Sequence, residues 1–129
     1  MSNCEPTVNY QAINFTEKLN LFSEYWAPKV IAEMNDYQFK IVKIKGDFIF
    51  HTHQDTDETF IVLEGSLRID FEDGYITVAA GEMYVVPKGV VHKPYAEHEV
   101  RMVLVEPKNT LNTDDGAVSD QTATNDIWI

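Results

Sequence analysis

The 129-residue sequence predicts an all-β fold, a small antiparallel barrel or sandwich preceded by one short helix. Three observations carry that expectation. From Val30 onward the chain is a series of short runs rich in β-branched and aromatic residues, turn-forming residues separate the runs, and no long helical stretch interrupts them. Many short strands with frequent turns are the pattern of closed or double-layered antiparallel sheets.

Residues 14 to 22 give the only helix signal. Asn14 can cap it, Glu17 stands three positions on as in a capping box, and Phe15, Leu19 and Phe22 share a face. Strands are then predicted at Gln38 to Lys45, Phe48 to His53, Thr59 to Leu63, Leu67 to Phe71, Tyr75 to Ala79, Met83 to Val86 and Val100 to Glu106. Asp73-Gly74 marks a tight hairpin that sets the Leu67, Ile69, Phe71 face against Ile76 and Val78. Glu64-Gly65, Ala80-Gly81 and Pro87-Lys88-Gly89 punctuate the rest. The tail after Asn109 is polar and irregular until Ile127, Trp128 and Ile129, which should dock on the barrel or on a partner because so apolar an end is unfavourable in water. The expected division is an N-terminal helix and covering segment over 1–29, a barrel domain over 30–107 and a tail over 108–129.

Length allows one hydrophobic core, so a single domain is expected. Ten Lys and Arg against 21 Asp and Glu leave a net charge of -11. That balance argues against nucleic-acid phosphates and anionic membrane surfaces as partners. No apolar run reaches the roughly 18 residues of a membrane-spanning helix, and the first residues lack the basic start and apolar stretch of a secretory signal. With the lone Cys4, read as an idle thiol, these features point to a cytoplasmic protein.

The chemistry concentrates around His51 and His53. Side chains at i and i+2 of a strand lie on one face, so these two imidazoles aim at one point together with Ile49. On the next strand Glu58, Phe60 and Val62 are in phase, which turns Glu58 toward the histidines and lets Phe60 line the same cavity. Phe48 and Phe50 should face the other way, needing cover from a strand within residues 23 to 35 or from a second subunit. Ile61 and Leu63 likewise face outward. A third histidine, His92, can join only if the fold returns its strand alongside.

Gly46, His51, His53, Glu58 and Gly65, followed by Gly81, Pro87, Gly89 and His92, resemble the two motifs of the cupin superfamily at near-identical spacing. Two departures are visible. Only four residues separate Gly46 from His51 where the family has five, and Ala96 stands where the second motif ends in Asn. The resemblance implies a double-stranded β-helix, or jelly-roll barrel, in which His51, His53, Glu58 and His92 bind one divalent ion. Three imidazoles and a carboxylate suit Zn, Fe, Ni, Mn or Cu. The resemblance leaves Glu58 as a ligand, as a group that only hydrogen-bonds nearby, or as a base.

Cupin barrels host isomerases, dioxygenases, decarboxylases, lyases and non-catalytic binding proteins, so the resemblance leaves the reaction open. The leading expectation is a metal-dependent enzyme, an isomerase or dioxygenase, acting on a small polar metabolite with Glu58 as proton-transfer group. The alternative is a non-catalytic module that binds a small molecule or a metal. Phe60 and Met102 are expected pocket walls, whereas Phe39, Ile41, Met83 and Leu104 read as core. His98, Glu82, Asp55 and Asp57 read as solvated, and Lys93, Tyr95 and Arg101 as surface. No Arg or Lys cluster marks a phosphate site. A homodimer is expected from Phe48, Phe50, Ile61 and Leu63, with Tyr25 and Trp26 in a segment that adds a strand to a neighbouring sheet or covers it.

Overall fold

The computed structural model describes residues 10–112 and 123–129. Cys4 and the middle of the C-terminal tail lie outside the described residues. Helix α1 (Phe15–Leu19) begins where Asn14 accepts a hydrogen bond from the Glu17 amide at 2.9 Å, as the capping pattern requires. It ends at Leu19, shorter than the span to residue 22. Among the described residues seven strands follow: β1 (Lys29–Met34), β2 (Tyr37–Asp47), β3 (Glu58–Glu64), β4 (Ser66–Phe71), β5 (Gly74–Ala79), β6 (Met83–Val86) and β7 (His92–Pro107).

All paired strands are antiparallel, in the order β1-β2-β7-β3-β6, with β4 joining β7 and β5 hairpinned to β4. Strand β7 is the hub. It pairs with β2 along nearly its whole length, with β3 through Arg101 to Val105 and with β4 through His92 to Tyr95. The β4–β5 hairpin pairs Phe71 with Gly74, so its two loop residues are Glu72 and Asp73 rather than Asp73 and Gly74.

Strand parity divides the side chains into two layers. Directly opposed residues of an antiparallel pair share a face, and the pairs Val42–Met102 and Ile44–Val100 point inward with Phe60, Val62, Leu67, Ile69 and Val78. Ala96, at the position of the missing Asn, sits opposite Gly46 fully buried in this cluster. An apolar residue therefore closes the core there. The outer face of β2 carries Phe39 and Ile41, which pack with Leu19, Phe22, Ile31, Leu63 and Ile129. Leu63 is thus covered by the chain's own helix, first strand and C-terminus rather than by a second subunit.

The C-terminus docks through its backbone. The Val30 amide donates to Ile127 O at 2.7 Å and the Ile129 amide to Val30 O at 3.1 Å, extending β1 in parallel. Ile129 joins the outer cluster, while Trp128 stays half exposed with its indole N–H on Asp126 at 3.0 Å. Glycine is required at Gly65, in the β3–β4 turn. Its φ is +88° and a Cβ would lie 2.7 Å from Glu99 O.

Candidate metal centre

The segment predicted as a strand from Phe48 to His53 forms no ladder; among the described residues its one bridge joins His51 to His92. The cause is local. Gly46, at φ 86°, sits at a register shift between β2 and β7, and the chain leaves β2 after Asp47. The His51 amide then donates to His92 O at 3.0 Å and the His92 amide to His51 O at 2.9 Å. This reciprocal pair sets the two rings side by side, with centroids 4.3 Å apart. Gly89 of the Pro87-Lys88-Gly89 turn donates to His53 O at 2.9 Å, and the Lys88 amide reaches Asp57 at 2.9 Å. Backbone hydrogen bonds therefore hold the first motif to the second.

His51, His53, Glu58 and His92 converge there. All four are buried and offer ligand atoms within 4.8 Å of one another. Glu58 Oε1 lies 3.2 Å from His53 Nε2 and 3.1 Å from His92 Nε2. The Nδ1 atoms of His51 and His92 lie 3.0 Å and 2.9 Å from the carbonyls of Ile49 and Val90. A carbonyl only accepts, so each Nδ1 carries the proton and each Nε2 of a neutral ring presents a lone pair. Those lone pairs point at a carboxylate or at one another, an unfavourable arrangement that a cation at their focus relieves. Two donors on one ion with ~2.1 Å bonds are at most about 4.2 Å apart, so a small contraction suffices. The donor set fits a divalent metal.

Electrostatics favour the deprotonated ligands that a metal needs. Burial, reinforced by neighbouring His92, pushes His51 down to about 4, against the pull of Ile49 O and Glu58. Burial alone would raise Glu58, but the His53, His92 and Glu106 side chains against it outweigh that and hold the carboxyl well below its usual range. Glu106 moves the opposite way. Burial and the adjacent Glu58 carboxylate push it well above the usual range, against the attraction of Lys40.

The cluster opens on a pocket lined by Trp26, Pro28, Val42, Ile44, Phe48, His51, Glu58, Phe60, Pro94, Met102, Leu104 and Asn112. Phe60 and Met102 are walls of it, and so is Leu104, expected only as core. Phe39 and Ile41 face the outer layer, and Met83 is exposed. Phe48 and Phe50 do not share a face, because without a ladder the alternation lapses. Phe48 is buried, stacked on Trp26 at 4.7 Å and edge-on to His51 at 5.3 Å, whereas Phe50 is half exposed. Trp26 therefore caps the chain's own pocket rather than reaching a neighbouring sheet, and Tyr25 bonds Glu99 at 2.8 Å.

Lys93 pairs with Asp47, Arg101 with Glu99, and Tyr95 lies under Arg68, all away from the pocket. His98 is exposed beside Glu97. Sequence reasoning missed Lys40 and Glu106, a buried pair at 2.7 Å whose carboxylate abuts Glu58. Their signal was parity. Gln38 and Lys40 occupy the same face as Val42 and Ile44, and Glu106 the same face as Leu104 and Met102, so each breaks an inward apolar series.

A model of the cupin domain matches residues 39–106. The chain is similar to a solved cupin-2 domain containing protein from Shewanella frigidimarina NCIMB 400, at 59% identity and a TM-score of 0.74, over 74% of this chain and 94% of that one. It is also similar to NMB1881 from Neisseria meningitidis, at 38% identity and a TM-score of 0.69, over 76% and 100% of the two chains. The uncharacterized protein YdbB of Bacillus subtilis (strain 168) is 44% identical over 64 residues, 49% of this chain. The match spans about half of that relative's length, 57%. With more than half of the chain matched and three histidines and a glutamate buried together, this protein belongs to the cupin family.

Proposed function

We propose that the chain is a metal-dependent enzyme of the isomerase or dioxygenase type, with His51, His53, Glu58 and His92 holding one divalent ion. The observation that carries this reading is the convergence of three imidazoles and one carboxylate, all buried, two of which, His51 and Glu58, line a pocket. The ion, Zn, Fe, Ni or Mn, would supply Lewis-acid polarisation of a substrate oxygen, or redox chemistry in the case of Fe or Ni.

The protein's own groups have separable tasks. Hydrogen bonds from Nδ1 to Ile49 O and Val90 O fix the tautomers and ring planes of His51 and His92. Glu58, on the pocket wall, is the group placed to take a proton from a bound molecule. Trp26 and Phe48 exclude water from the imidazole edge. The walls narrow the expected substrate. The cavity within these walls is only about 30 Å³, far below an ordinary small-molecule site, so it admits a small group rather than a whole metabolite. Among the described residues, His51, Glu58 and Asn112 are its polar lining, and no Lys or Arg joins them. These walls favour a small polar metabolite that presents one oxygen function to the cluster beside an apolar edge.

Elemental analysis of protein purified without added metal, followed by a substrate panel scored for oxygen uptake and isomerisation, tests the proposal. We expect Glu58→Gln to lower metal occupancy and turnover together where the carboxylate acts as a ligand, and turnover alone, by on the order of a hundredfold, where it acts as the proton-transfer group. Full turnover in a fully loaded Glu58→Gln protein would remove Glu58 from the mechanism. A non-catalytic binding module is the second reading. It is favoured by one observation, the depressed Glu58 carboxyl, which makes a weak base. It predicts no turnover on any substrate, with Glu58→Gln altering only affinity.

The proposed cytoplasmic address rests on the single Cys, which can form no internal disulfide. The homodimer is kept, with Ile61 retained on its surface and Phe48 and Leu63 removed from it. Ile61 and Met83 are opposed on the outer face of the β3–β6 edge, where Met83 is 56% and Val85 41% exposed. Sedimentation at micromolar concentration should give a species near twice 14.8 kDa, and a monomer alone would refute the dimer.

A further inference from the structure

Buried charge in the barrel does not stop at the four converging side chains. Lys40 and Glu106 are 3% and 1% exposed, and their Nζ and Oε2 atoms lie 2.7 Å apart. Lys40 also donates to Thr110 O at 3.1 Å and Asn125 Oδ1 at 3.4 Å, so all three of its N–H groups are used and the ammonium is fixed. Glu106 is only half satisfied. Its Oε1 is buried with no hydrogen-bond donor among the described residues. Thr59 lies opposite Val105 and Phe60 opposite Leu104, so the next step of the ladder puts Glu58 beside Glu106, and the two carboxyls touch.

As a stabilising device this arrangement is poor, because apolar side chains of similar volume serve a fold as well as a buried ion pair or better. It is understandable as support for the neighbouring site. Unopposed, the Lys40 ammonium would be a fixed cation close to Glu58 and would compete with any metal for its charge. Glu106 engages that cation and at the same time contacts Glu58. Neither residue lines the pocket; both border a separate small cleft with Thr110, Asn112 and Asn125.

We infer that Glu106, anchored by Lys40, is a positioning residue that holds the Glu58 carboxyl with Oε1 facing His53 and His92, and so sets the metal affinity of the site. The inference rests on the metal reading above and extends it to two residues outside the ligand set. It differs from a structural role in one respect: removing the pair together should leave the fold intact and weaken the metal.

The test is Zn²⁺ affinity of the full chain at pH 7, by competition with a chromophoric chelator, with thermal unfolding monitored in parallel. Two double variants remove the same charges. Lys40→Met with Glu106→Leu removes the polar neighbour of Glu58 on the side away from the histidines, and affinity should fall 10- to 100-fold, as for lost support of other metal ligands. Lys40→Met with Glu106→Gln keeps an amide that can donate to Glu58, and affinity should stay within a few-fold of the native protein. Should the leucine variant fail to fold, Glu106→Asp, which withdraws the carboxyl by one methylene, decides instead, with a loss of about tenfold expected. Native affinity in a folded leucine variant, or in Glu106→Asp when that variant decides, overturns the inference and leaves the metal site standing. Equal losses in both double variants overturn it too, since charge alone would then explain them. A native protein that binds no Zn²⁺ and no other divalent ion overturns the metal reading itself, and this inference with it.

Discussion

The barrel interior has two ends built by the same three strands. On β2 the inward series runs Gln38, Lys40, then Val42, Ile44; on β3 it runs Glu58, then Phe60, Val62; on β7 it runs Glu106, then Leu104, Met102, Val100. Each changes from polar to apolar within one or two pleats. The apolar end is an ordinary core, in which a buried Val, Ile, Leu or Met contributes roughly 1.5–3 kcal/mol. The polar end contributes little by that route, and its half-satisfied Glu106 and facing lone pairs oppose folding. The difference teaches which end holds the fold and which end the fold holds in place.

Substitutions that separate stability from metal binding test this division. The largest expected effect is at the apolar end. Ile69, fully buried in the inner cluster, should lose about 2–5 kcal/mol of stability on substitution by Ala. Metal stoichiometry should be unchanged, and denaturant titration beside elemental analysis would expose any coupling between the ends.

At the polar end the effect is on pH. His51 falls from 6.5 in the unfolded chain to about 4 in the folded one, so between those values the unfolded state binds more protons. Metal-free protein should therefore lose stability as pH falls from about 6.5 to 4, by roughly 3 kcal/mol, with this group contributing no slope above pH 7. His51→Ala should flatten that part of the profile. A sequence-based expectation would have metal release begin below roughly pH 6; burial of His51 moves its own share of proton competition toward pH 4.

Next in size is the metal's own contribution. Chelation should destabilise the native protein by about 2.7 kcal/mol relative to protein at a hundredfold excess of metal over its dissociation constant, and should leave the His51→Ala/His53→Ala protein unaffected. The smallest effect is at Ala96. Restoring the motif's Asn there should cost about 1–3 kcal/mol without altering metal affinity, since the site lies in the apolar cluster opposite Gly46. A stabilised Ala96→Asn would mean that a hydrogen-bond partner waits in that core.

Much of this was legible in the sequence, and the failures share a cause. Strands β2 to β6 were readable because turn residues bound them. The metal-site residues were readable because motif spacing survives a local change of backbone, which is why His51 and His53 converge although their segment is not a strand. Strand β7 was read only from Val100, since Lys93, Glu97, His98 and Glu99 interrupt its apolar alternation where it runs on to pair with β2 and β4. Phe48 is read outward when parity is extended past Gly46, where the register shifts. Lys40 and Glu106 went unread because charged residues in a strand ordinarily face water, and only the register places them inside.

The central claim is that the polar end is a metal site, and elemental analysis of native and His51→Ala/His53→Ala proteins, purified side by side without added metal, tests it most directly. The account predicts about one divalent ion per native chain and none in the variant, because loss of two of four ligands removes most of the site's affinity. A folded variant with the same metal content as the native protein would contradict it.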